Sequence, residues 1–268
     1  MGDYGKRIRL RRILNPVRGT LVVAFDHALV HGPIPGTADP AGQIRRFAEA
    51  QADAVLINFG AIAHFAQALS APSVPGLITR LDWTTALGTP TIPQGRFQTC
   101  LVAHPEDALR SGADAVITFL IIGTGDAEFE KNEIERVGQL ARECEGVGMP
   151  LVVESLARGS QVQNPCDPQW LLLHSRIAAE LGADVIKMEY AGDAAAMRGI
   201  VEACPVPVLV LGGSRAGSDQ EVLHTVRGIM TAGAAGVFFG RNVFQADDML
   251  TFLQSVRTIL EDRKSPQG

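Results

Sequence analysis

Only four of the 24 basic residues in the chain are lysine, and one of them stands where an ammonium is costly to keep. Lys6, Lys131 and Lys264 have charged or polar neighbours in the tails or at a helix start, as solvated lysines do. Lys187 instead lies in ADVIKMEY, an extended run that is otherwise apolar. A charged amine there loses its hydration unless it is paired, so burial is expected to push its pKa down. A neutral amine is a nucleophile, and its condensation with a carbonyl gives an imine. The competing reading is a lysine neutralised by Glu189, Glu154 or Asp26; Glu189 is two residues on, and so on the same face of a strand.

Two glycine turns supply a second chemistry. VLVLGGSRAGS at 208–218 ends a strand-like run in Gly212, Gly213 and Ser214, and VFFGRN at 237–242 ends another in Gly240 and Arg241. Glycine lets the backbone approach an anion, its N–H groups point at the oxygens, and Arg241 or Arg215 can grip them in a fork. The pattern points to a phosphorylated small molecule, although a Gly-Gly after a strand is also an ordinary turn.

Carboxylates complete the set. TLVVAFDHALVHGPIPG closes its apolar run with Asp26 and His27; a strand-end carboxylate can relay a proton or orient a carbinolamine hydroxyl, or it can simply brace the loop. In LVVESLARG, Glu154 and Leu156 share a face. Facing inward, Glu154 is expected to be a buried acid with a raised pKa, unless it is ion-paired with Arg158 or Lys187. His27 and Arg158 are further candidates to touch substrate. His27 and His31 are four apart and could share a metal on a helix, but Pro33 and Pro35 suggest a loop. No HxH, HExxH or CxxC spacing occurs, so neither a metal nor another cofactor is expected. His64, His104, His174 and His224 fall in predicted helices or at a helix start, where packing or surface roles are the default.

What positions these residues is a repeated handover from helix to strand. QADAV at 51–55, SGADAV at 111–116, LGADV at 181–185 and TAGAAGV at 231–237 each end a helix-like stretch and open a β-branched run. Together with proline-led entries they place eight strand starts near residues 20, 54, 77, 115, 150, 184, 206 and 236. Strands this apolar need both faces covered, and one helix per strand suits a single (β/α)8 barrel spanning 1–268. An open doubly wound sheet is the alternative, but no GxGxxG follows the first strand. Residues 1–18 form an N-terminal extension, with a basic helix over Asp3 to Leu14 that lids the bottom of the barrel. Gln94 to Ala103 reads as an irregular or weakly extended insert. In a barrel, chemistry sits at strand C-terminal ends, which adds Asn58, Arg80 and Asp82 to the residues of interest.

Composition narrows the function classes. In 268 residues, 24 Lys+Arg against 29 Asp+Glu gives a formal charge of −5, a poor match to a phosphate polymer, so nucleic acid is not expected as a partner. Arginines interrupt the first twenty residues, and the longest uncharged stretch, Ala54 to Thr79, contains Asn58, His64, Pro72 and Pro75, so neither a signal peptide nor a membrane span is expected. Cys100, Cys144, Cys166 and Cys204 are far apart, as suits reduced thiols in the cytoplasm.

Taken together, GKRIRLRRILN, FDHALVHGPIPG, ARG with QNPCDP behind it, GADVIKMEYAGD, CPVPVLVLGGS and AGAAGVFFGRNVFQADD resemble the class I aldolases related to archaeal fructose-bisphosphate aldolase and 2-amino-3,7-dideoxy-D-threo-hept-6-ulosonate synthase. The resemblance implies a Schiff-base lysine at Lys187, a catalytic aspartate at Asp26, phosphate binding by Gly212, Gly213, Gly240 and Arg241, and a homo-oligomer, often of ten subunits. It departs at one place: the family's proton-transferring tyrosine, two residues before the Arg-Gly of the fifth strand, is Leu156 here, and Glu154 is the natural substitute. A related thiolase branch, acting on a phosphorylated quorum-sensing sugar, also lacks the tyrosine. The expected activity is therefore an imine-forming, metal-independent aldolase acting on a phosphorylated ketose or keto-phosphate. Acyl transfer on a phosphorylated diketone, or a barrel that binds phosphate ligands without turnover, are the alternatives.

Overall fold

Each strand of the barrel begins within two residues of an apolar run named above. The computed structural model describes residues 3–71, 73–88, 96–213 and 217–262. The barrel strands are Thr20–Ala24, Ala54–Asn58, Gly76–Arg80, Ala115–Ile122, Leu151–Ala157, Val185–Met188, Val208–Leu211 and Gly236–Phe239. All pair in parallel with their chain neighbours, and Thr20 opposite Gly236 through Val23 opposite Phe239 closes the first strand on the eighth. That closure excludes the open sheet.

Alternation along the strands divides two cores. Val22, Ala24, Leu56, Ile78, Ile117, Val152, Leu209 and Phe238 fill the barrel interior. Leu21, Val23, Val55, Val116, Val153, Ile186 and Phe239 point outward into a layer shared with the surrounding helices. The same parity sends Asp26, Arg80, Glu154 and Lys187 inward, above the interior layer.

The recurring Ala-Asp phrase has a physical purpose beyond ending helices. Asp53, Asp114 and Asp184, each just before an even-numbered barrel strand, accept the backbone N–H groups of Leu21, Leu77 and Leu151 at 2.8, 3.0 and 2.8 Å. These carboxylates satisfy the exposed starts of the odd-numbered strands next to them. The fourth copy of the phrase carries Ala235 at that position.

Below the strands, the helix Asp3–Ile13 lids the barrel as expected, with Ile13 1% exposed in the interior core. Lys6 corrects its reading as a solvated lysine. It is 8% exposed, with Nζ 2.8 Å from Glu145 and 3.0 Å from Asp184. Its partners lie far along the chain, where local neighbours give no hint of them. Lys131 stays on the surface between Glu128 and Glu135; Lys264 lies outside the described residues.

Two connections differ from one regular helix per strand. Between the second and third strands the chain makes two 3-10 turns and the short helix Ala66–Leu69, so His64 sits in a 3-10 turn. After the third strand, Asp82–Thr84 pairs antiparallel with Thr99–Leu101, so the insert read as irregular or weakly extended supplies one strand of a two-stranded ribbon. Of the expected insert, Gln94 and Gly95 lie outside the described residues.

Candidate active site

Strand register alone brings the key pair together. Glu154 of the fifth strand and Lys187 of the sixth are Cα partners, both inward-facing and both buried at 6% and 5% exposure. Lys187 Nζ lies 2.8 Å from Glu154 Oε1 and 4.6 Å from the centroid of the Phe238 ring. Of the three carboxylates that could neutralise Lys187, Glu154 is therefore the one in contact. Glu189 does not share the lysine's face, because the sixth strand ends at Met188; it pairs instead with Arg158 at 2.6 Å.

The other oxygen of Glu154 accepts from Arg80 Nη2. Arg80 comes from the end of the third strand and is 1% exposed. Its Nε donates to Asp26 Oδ2 at 2.5 Å, its Nη1 lies 3.3 Å from Asp82 Oδ1, and its guanidinium stacks 3.8 Å over Phe119. Sequence reasoning placed Arg80 among the strand ends but gave it no role. An arginine closing an apolar strand was the available signal.

These charges overturn the raised pKa expected for Glu154. Burial pushes it up, but the positive charges of Lys187 and Arg80 outweigh burial and hold it below the usual carboxylate range. Asp26 is likewise held low: burial opposes ionisation, and Arg80, Lys187 and His27 overcome it. His27 goes the other way. Burial, with Lys187 and Arg241 nearby, pushes it down to about 4 despite Asp26, so it is neutral at pH 7.

Above this layer lies a cavity of about 290 Å³ at the C-terminal ends of the strands. Asp26, His27, Arg80, Glu154, Arg158, Lys187, Gly212, Gly213, Gly240 and Arg241 all line it. Apolar side chains, Ala86, Leu87, Phe119, Leu156 and Leu211, also line it. Ser214 and Arg215 lie outside the described residues. His27 and His31 bracket the single turn Ala28–His31 rather than the loop that Pro33 and Pro35 suggested; the prolines follow the turn instead of interrupting it.

The glycine turns have steric causes. Gly213 has φ +65°, and a Cβ on Gly240 would lie 2.4 Å from His27 Cε1 and 2.9 Å from the Ala24 carbonyl. The Gly212 carbonyl accepts from Asn242 Nδ2 at 2.9 Å. Arg158 is neutralised by Glu189, whereas the Arg241 side chain has no partner among the described residues and its Nε is buried without one. A cation left unpaired at glycine turns is suited to an anionic ligand.

A family model described as DeoC/LacD family aldolase matches residues 20–246. The chain belongs to this family. The aldolase resemblance read from the sequence is thus borne out, as is the barrel fold. Among curated members, 2-amino-3,7-dideoxy-D-threo-hept-6-ulosonate synthase of Halobacterium salinarum is 34% identical over 100% of this chain and 96% of its own length. The 3-hydroxy-5-phosphonooxypentane-2,4-dione thiolase of Yersinia pseudotuberculosis is 30% identical, covering 98% of this chain and 84% of its own. An archaeal fructose-1,6-bisphosphate aldolase, solved with its catalytic lysine covalently bound to the carbinolamine intermediate of the substrate, superposes with a TM-score of 0.85 at 30% identity, over 96% of this chain and 99% of the other.

Proposed function

We propose that this DeoC/LacD aldolase forms or cleaves a carbon–carbon bond of a phosphorylated ketose or keto-phosphate through an imine at Lys187. The observation that carries the reading is the contact between Lys187 Nζ and Glu154 Oε1 at 2.8 Å in the wall of a cavity whose rim carries Arg241, which has no partner among the described residues. Lys187 passes a proton to Glu154 Oε1, and the freed amine adds to the ketone carbon. Glu154 returns the proton to the carbinolamine hydroxyl, which leaves as water, and the iminium nitrogen becomes the sink for the electron pair of the breaking bond. Asp26 orients the carbinolamine hydroxyl. Arg241 with Gly212, Gly213, Ser214 and Gly240 holds the phosphate, while His27 and Arg158 contact the rest of the substrate. Because the protonated imine is itself the electron sink, the reaction needs no metal or other cofactor.

Solvent exchange tests this reading. The iminium of dihydroxyacetone phosphate loses a proton from the adjacent carbon to give an enamine, so in D2O the wild-type enzyme is expected to introduce deuterium there, and Lys187→Met is not. A wild-type enzyme that exchanges nothing from dihydroxyacetone phosphate, fructose 1,6-bisphosphate or related keto-phosphates overturns it.

One observation favours a second reading. Leu156 puts an alkyl group on the cavity wall at the position of the family tyrosine, as acyl transfer from a phosphorylated diketone to coenzyme A would tolerate. Product formation that depends on coenzyme A distinguishes it from aldol cleavage. The whole chain is proposed to act as one barrel domain of a cytoplasmic homo-oligomer. Exposed apolar side chains support the assembly: Tyr4 and Ile8, one turn apart on the lower helix, and Leu172 with Leu173.

A further inference from the structure

We propose that Arg80 is the positioning residue of this site: its guanidinium divides the two inward carboxylates, fixing Asp26 by Nε and Glu154 by Nη2, so that Glu154 keeps one oxygen for the proton of Lys187. The inference rests on the imine reading above. Glu154 is bridged, with Oε2 on Arg80 and Oε1 on Lys187. A carboxylate tied at one oxygen cannot rotate away, and the other oxygen stays aimed at the amine. Arg80 is itself fixed from behind. Asp82, fully buried, takes Nη1 on one side while accepting from Thr118 Oγ1, the Phe119 N–H and Arg136 Nη1 at 2.7, 2.8 and 2.9 Å on the other. Phe119 closes the face of the guanidinium.

Without that cation, two buried carboxylates would face one lysine, and one of them would take up a proton from solvent. A protonated Glu154 accepts nothing from Lys187, and the amine stays an ammonium. The groups facing the pair are Lys187 from the sixth strand, His27 beside Asp26, Asp82 behind Arg80, Glu189 above the sixth strand and Arg241 from the eighth. Among the described residues none of these touches both carboxylates, and Arg80 does. During imine formation the proton goes from Lys187 to Glu154 Oε1 and then to the departing hydroxyl, so Arg80 neither gains nor loses one.

The test is the pH dependence of borohydride trapping of dihydroxyacetone phosphate, read as the rate of adduct formation on the full-length enzyme. For Arg80→Met we expect a fall of at least tenfold at neutral pH and an acid limb displaced upward by one pH unit or more. Arg80→Lys, which keeps the charge but can reach only one carboxylate, is expected between Met and wild type. Arg136→Met cuts the same network outside the barrel; it should melt at a lower temperature with the acid limb in place. A folded Arg80→Met with a wild-type limb, or an equal displacement in Arg136→Met, overturns the assignment. Should Arg80→Met not fold, Arg80→Lys with wild-type rate and limb overturns it. Wild-type enzyme that traps no ketone overturns the imine reading itself, which is a separate outcome.

Discussion

Glu154 and Lys187 oppose each other directly across the fifth and sixth barrel strands, with their charged atoms 2.8 Å apart. The ion pair is short enough to hand over a proton and lies in the cavity wall, where a carbonyl can reach the amine. Replacing Glu154 by Gln keeps the shape and a hydrogen-bond acceptor but removes the base. Loss of a positioned general base costs about 10²- to 10⁴-fold. Glu154→Gln should therefore lower solvent exchange into dihydroxyacetone phosphate by about 100-fold or more in a folded enzyme. Exchange within threefold of wild type would remove Glu154 from the mechanism.

Arg241 is the rim cation without a partner among the described residues. A hydrogen bond to a charged group contributes about 1.5–3 kcal/mol, or about 10- to 100-fold in affinity. Arg241→Gln should raise KM for a phosphorylated ketone by that factor with little change in kcat, and leave the weak reaction of dihydroxyacetone unaltered. Steady-state kinetics on the two substrates decides it; equal losses on both would show that Arg241 does not read the phosphate.

Leu156 is 1% exposed within an apolar cluster with Phe119 and Ile121. Leu156→Tyr introduces the tyrosine that the sequence resemblance implies at this position but adds bulk and a hydroxyl to a packed wall, at a cost of about 1–3 kcal/mol. If Glu154 carries the proton here, the variant melts at a lower temperature and gains no cleavage of fructose 1,6-bisphosphate. A gain of tenfold or more would contradict that assignment.

Acid should weaken the fold earlier than carboxylates alone would allow. Burial pushes His27 down to about 4 and His174 to about 3, from an ordinary 6.5. As pH drops below 6.5 the unfolded chain binds protons that the folded chain refuses, so the stability from keeping these rings neutral is lost between 6.5 and those lower values. Asp26 and Glu154, held low, act in the same direction, but their contribution is complete above about 4.5 and is lost only below it. Urea unfolding at pH 5 should show a loss on the order of 2 kcal/mol per histidine relative to pH 7.5. His174→Gln should flatten the profile; a wild-type profile already flat over this range would contradict the neutral buried rings.

Most of the architecture was legible because parallel strands covered on both faces must be continuously apolar, and the repeated Ala-Asp phrase marks where they begin. Lys187 was legible for the same reason, as the one charge within the strand Val185–Met188. The network around it was not. Arg80 meets Asp26 and Glu154 across 54 and 74 residues of chain, and no local spacing encodes that. Glu189 was misassigned because the two-residue period holds only within a strand, and this one stops at Met188. Alternation puts Glu154 and Leu156 on one face without saying which way it looks, and the pKa direction of Glu154 depends on cations from two other strands.

The most direct measurement is peptide mapping of enzyme reduced with borohydride in the presence of dihydroxyacetone phosphate. The account predicts one stable adduct, on the peptide carrying Lys187, and none in Lys187→Met. An adduct on Lys6, Lys131 or Lys264 in its place, or no adduct with any keto-phosphate, would contradict it.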